Sequence, residues 1–70
     1  MTRYHSPLQQ LKEAKQIARD HGLFVIEKPD GRGNTAYLLY REHRPGNVYI
    51  GRRNTPEGIR RLVCKAANFH

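Results

Sequence analysis

The chain has 70 residues, with 13 Lys and Arg against 6 Asp and Glu, a formal net charge of +7 and a pI of about 10.2. At this length folding buries only about 60% of the surface that the unfolded chain exposes, which allows one small core and excludes a separate cofactor domain or a deep substrate cleft. The longest uninterrupted apolar run, residues 23–26, falls far short of the ~20 residues that cross a bilayer. With no apolar leader at the N-terminus and a lone Cys64 that cannot form an intrachain disulfide, the expectation is a cytoplasmic protein with no membrane partner.

Ser6-Pro7-Leu8-Gln9 opens a helix predicted over 7–21. Ser6 can cap the amide of Gln9 while the Gln9 side chain reaches back, and Pro7 suits the first helical position. Leu8, Leu11, Ala14 and Ala18, with Ile17 beside them, form one apolar stripe, and Gly22 supplies a left-handed stop. Leu23-Phe24-Val25-Ile26-Glu27-Lys28 is rich in β-branched and aromatic residues and ends at the turn signal Pro29-Asp30-Gly31, predicting a strand over 23–28.

Arg32-Gly33-Asn34 extends that loop, and a second strand is predicted over 35–42. Arg44-Pro45-Gly46 connects it tightly to a third strand over 47–52. With Gly46 left-handed in a three-residue loop, His43 pairs with Asn47. That register places Leu38, Tyr40, Val48 and Ile50 on one face and Tyr37, Leu39, Arg41, Tyr49, Gly51 and Arg53 on the other, and a one-residue slip would exchange parts of these sets.

Thr55-Pro56-Glu57 then starts a helix predicted over 56–67, with Thr55 as cap and Glu57 favourable beside the positive helix end. Its apolar stripe is Ile59, Leu62, Val63 and Ala66, with Arg60, Arg61 and Lys65 off it. The expected fold is α+β in the order α-β-β-β-α: one domain over 1–70, with two helices packed on one face of a three-stranded antiparallel sheet.

Residues 1–31 carry a net charge of only +1, so nearly the whole excess belongs to residues 32–70, whose basic side chains are Arg32, Arg41, Arg44, Arg52, Arg53, Arg60, Arg61 and Lys65. Arginine predominates there. Its planar fork binds phosphate bidentately and stacks on bases, so nucleic acid, RNA or DNA, is the first partner to consider; an acidic protein partner is the alternative.

The element order and length resemble the double-stranded RNA-binding-domain fold, and the layout is similar to that of the HicA toxin family, small bacterial and phage-borne ribonucleases. The likeness rests on His21-Gly22-Leu23-Phe24 after the first helix, Arg44-Pro45-Gly46-Asn47-Val48 in the second hairpin and the basic last helix from Gly58 to Ala67. In that family the catalytic histidine lies in a Gly-Ser-His stretch at the start of the second strand. This chain has Gly33-Asn34-Thr35-Ala36 there, so the resemblance implies a nucleic-acid-binding scaffold without that enzyme's base. Small size and excess charge also suit a phage or mobile-element accessory protein, such as an inhibitor or a toxin–antitoxin component.

Arg52-Arg53 just before a capped helix start can converge with backbone amides on one phosphate, or can simply keep an edge strand soluble. Tyr37 and Tyr49, with Arg41 and Arg53, are expected on the outer sheet face, where they would stack bases, although tyrosine is also ordinary strand packing. Asp30-Gly31-Arg32-Gly33 lacks the Gly-Lys-Ser/Thr ending of a phosphate loop and reads as a hairpin tip from which Arg32 can probe a groove. His5, His21, His43 and His70 show no metal-ligand spacing, and no cofactor is expected. His43 beside Glu42 and Arg44 is the one acid–base candidate, weakened because adjacent strand residues face opposite ways. Cys64 adjoins the last helix's stripe and reads as a packing thiol. The function expected from the sequence is non-catalytic binding of nucleic acid through its phosphates.

Overall fold

The computed structural model describes residues 6–68. Its elements are α1 (Pro7–Asp20), β1 (Leu23–Pro29), β2 (Thr35–Arg41), β3 (Val48–Arg53) and α2 (Pro56–Ala66), which gives the α+β class and the α-β-β-β-α order expected from the sequence. Both helices begin as their caps dictate. Ser6 Oγ accepts the Gln9 amide at 3.1 Å, Thr55 Oγ1 accepts the Gly58 amide at 3.0 Å, and each cap is followed by a proline that has no amide to leave unpaired. Gly22 leaves α1 at φ +73°, and its carbonyl accepts the Glu42 amide at 2.9 Å, which ties the helix exit to the end of β2.

The sheet order is β1-β2-β3, antiparallel throughout. Pairing of β1 with β2 is regular from Leu23↔Arg41 to Pro29↔Thr35. Between β2 and β3 the expected register holds for Tyr37↔Arg53, Leu38↔Arg52 and Leu39↔Gly51, then slips by one residue to Tyr40↔Tyr49 and Arg41↔Val48. Ile50 is the extra residue of a bulge. This corrects the expected faces: Val48 and Ile50 lie on the side of Leu39, and Tyr49 turns to the side of Tyr40.

The helices cover the face that carries Leu23, Val25, Tyr37, Leu39 and Ile50. The core joins Leu11, Ala14 and Ala18 of α1 and Ile59 and Val63 of α2 to Leu23 and Leu39 of the sheet. Leu8, expected on the α1 stripe, is 68% exposed at the helix start, beyond the reach of this core. Tyr37, Arg41 and Arg53 therefore belong to the helix-side face rather than to the outer one. The small residue at Gly51 is the reason this side accepts α2: a Cβ there would lie 3.0 Å from Leu62 Cδ2.

The two hairpin loops are built differently. In the first, Asp30 Oδ1 accepts the amides of Arg32 at 2.8 Å and Asn34 at 3.3 Å, with Gly31 and Gly33 at φ +87° and +85°. In the second, Gly46 does not take the left-handed backbone expected of it; the Arg44–Pro45 peptide is cis, and the His43 amide donates to Asn47 Oδ1 at 3.2 Å. His43 and Asn47 are thus joined through a side chain, and strand pairing stops at Arg41↔Val48.

Leu39, fully buried at the centre of the sheet, should cost about 2–5 kcal/mol when changed to Ala, read by urea unfolding. Gly51→Val should cost about 1–3 kcal/mol by crowding Leu62. In that background Leu62→Ala should cost less than it does alone; additive costs would show that the two positions do not meet.

Candidate nucleic-acid interface

The eight cations of the C-terminal half divide into two groups. Arg60 Nε donates to Glu13 Oε1 at 2.8 Å, joining α2 to α1 with side chains 38% and 28% exposed, and Arg61 donates to Glu57 at 2.7 Å one turn away on α2. Both are paired with a carboxylate, but the Arg61 and Glu57 side chains stay 77% and 58% exposed, so solvent screens that pair and Arg61 remains accessible. Arg60, expected among the phosphate-binding side chains, is thus placed at the contact between α1 and α2. Arg32, Arg41, Arg44, Arg52, Arg53 and Lys65 are exposed, and among the described residues none has a carboxylate partner.

Their positions follow from the topology. Arg32 stands on the β1–β2 loop, with its backbone amide held by Asp30. Arg41 ends β2 and Arg44 lies on the β2–β3 loop, at the opposite end of the sheet. Arg52 and Arg53 end β3 on opposite faces, and Arg53 turns one guanidinium nitrogen to the Arg52 carbonyl at 2.6 Å, which leaves its charge and its other donors available. Lys65 is in the last turn of α2. The first turn of that helix already holds the Thr55 cap and the Glu57 carboxylate, so the neighbouring arginines, rather than the helix end, supply positive charge there.

Among the described residues no helix lies over the other face of the sheet. Phe24, Ile26 and Lys28 of β1, Ala36, Leu38 and Tyr40 of β2, and Tyr49 and Arg52 of β3 share it. Phe24 and Tyr40 stack with ring centroids 5.5 Å apart and planes within 10°, and Tyr49 meets Tyr40 edge-on, also at 5.5 Å. Tyr49 is 54% exposed. Of the two tyrosines singled out from the sequence, only Tyr49 reaches this face; Tyr37 packs against the core. Phe24 and Tyr40 were missed because alternation in β1 and β2 is apolar on both sides, and only the bulge places Tyr49 beside Tyr40.

His43 is exposed on the loop after β2, and the His21 ring bonds the Ile17 carbonyl through Nδ1 at 2.9 Å; His5 and His70 lie outside the described residues. Among the described residues no three His, Cys, Asp or Glu side chains group as metal ligands, and no helix is long and apolar enough to cross a membrane. Cys64 is half-buried beside the α2 stripe. The surface hollows are shallow; one, between β1 and β3 on the open face, is lined by Lys28, Pro29, Asp30, Ala36, Leu38 and Arg52. Compared with known proteins, the chain matches no family model, and no curated protein or solved structure shows significant similarity to it.

The Glu13–Arg60 pair is testable apart from any ligand. A double-mutant cycle with Glu13→Ala and Arg60→Ala should give a coupling of about 0.5–1 kcal/mol in denaturant unfolding. Zero coupling would return Arg60 to the set of free cations.

Proposed function

We propose that this chain is a non-catalytic nucleic-acid-binding protein that holds the phosphate backbone through Arg32, Arg41, Arg44, Arg52, Arg53 and Lys65. The observation that carries the reading is the separation of charge: these six side chains are exposed without carboxylate partners among the described residues, while the strands' one carboxylate, Glu27, is engaged by Lys15 of α1. Unpaired guanidinium groups at both ends of the sheet suit an extended polyanion better than a small ligand, and arginine binds phosphate through paired donors. Asn34-Thr35, standing where the HicA-type resemblance would put a histidine, supports binding without cleavage.

Arg52→Ala/Arg53→Ala should weaken binding with little loss of stability, since both side chains are exposed. Loss of two phosphate contacts should lower the slope of log K against log salt by about 1.4 on single strands or about 1.8 on B-DNA. Unchanged affinity and slope would remove the pair from the interface. If wild type binds no RNA or DNA at low salt, the proposal fails and the cations are left to an acidic protein partner. Cleavage that survives repurification and disappears in His43→Ala would overturn the non-catalytic reading.

A further inference from the structure

We propose that the open face of the sheet takes single-stranded nucleic acid, with a base stacking on Tyr49 at the exposed end of the ring row and phosphates lying beside Arg52 and Lys28. This deepens the reading above and rests on it. The three rings cross the sheet in one row, through the cross-strand pairs Phe24↔Tyr40 and Tyr40↔Tyr49. The next row holds Ile26, Leu38 and Arg52, and the row beyond holds Lys28 and Ala36. An aromatic platform at one end of the face thus continues into a cationic end with a shallow hollow between the two side chains.

Three observations choose the occupant. The first is charge: the strand residues of this face include Lys28 and Arg52 and no carboxylate, because Glu27 faces α1 and pairs with Lys15. Asp30, which lines the hollow beside them, turns its Oδ1 to the amides of Arg32 and Asn34. A second copy of the chain laid on this face would bring like charges together, whereas a polyanion would neutralise them. The second is ring geometry. Phe24 and Tyr40 cover one another, but Tyr49 meets Tyr40 only by an edge contact and keeps more than half of its surface open to a base. The third is access: bases in a duplex are stacked on one another, and an aromatic face can engage only bases that are splayed out. Stacking of this kind is tolerant of sequence, because every base has a π-face.

The test is fluorescence anisotropy with labelled oligo(dT) and oligo(U) and with a duplex of equal length, using the full chain. Wild type should bind single strands more tightly than duplex. Tyr49→Leu, which keeps apolar bulk but removes the ring, should lose about 5- to 100-fold in affinity for single strands with its salt slope unchanged, and Tyr49→Phe should bind within about twofold of wild type. Thermal unfolding of both variants separates lost binding from lost folding. If Arg52→Ala/Arg53→Ala weakens binding while Tyr49→Leu does not, the stacking proposal falls and the phosphate reading stands. If wild type binds no nucleic acid, both fall. A wild-type dimer in sedimentation that Tyr49→Arg dissolves would assign the face to a second copy and overturn the proposal.

Discussion

The extra residue in β3 decides which side chains meet the helices and which meet solvent. Because Ile50 bulges out of the ladder between Leu39 and Tyr40, Ile50 packs towards the helices alongside Gly51, and Tyr49 passes to the opposite face. Both consequences matter. Gly51 leaves the space that Leu62 fills, so α2 settles close to the sheet, while Tyr49 reaches Tyr40 and completes the row of rings. Regular pairing would have put the Tyr49 ring under the helices and Val48 and Ile50 outside. Bulges recur where a sheet must redirect a side chain, and here the same backbone step serves packing on one face and the ring row on the other.

The sequence was most legible where the signal is local. The two helix starts carry a hydroxyl cap and a proline within two residues of each other, and Gly22 marks the helix exit; all three stand in the structure, although only the Ser6 half of the expected reciprocal cap with Gln9 forms. Strand positions followed from residue type and turn signals to within a residue or so at each end. Side assignment failed because Leu23-Phe24-Val25-Ile26 and Tyr37-Leu38-Leu39-Tyr40 are apolar on both faces, so alternation cannot say which side is covered. The bulge has no signature beyond a glycine in a strand, and register inferred from one end of a hairpin cannot detect a slip midway.

The free cations were only partly legible, for a related reason. Counting charge along the chain assigns Arg60 and Arg61 to the basic surface. Arg61 has Glu57 at the i, i+4 position, a pairing visible in the sequence, but Glu13 lies 47 residues from Arg60 and meets it only because α1 and α2 pack side by side. Ala14 and Ala18, both fully buried, keep α1 slim on that side. The partly buried pair then sits at the contact between helices, beside the apolar packing that joins them. Arg60 is drawn into the contact between the helices, and the unpaired arginines of the C-terminal half lie at the ends of the strands and on their loops.

That distribution bears on the proposed interface. A ridge of cations along a helix would track the two backbones of a duplex, but α2 retains Lys65 as its one cation without a carboxylate partner among the described residues. The open sheet face instead combines rings with flanking charge. A small core must also carry a net charge of +7, whose self-repulsion opposes compaction. Placing the free arginines at opposite ends of the sheet lengthens the distances between them, and a polyanion running from one end to the other would remove most of the remaining repulsion. Binding at the proposed interface and stability of the fold are then linked through the same side chains, because a ligand held by the folded chain alone shifts the folding equilibrium towards it.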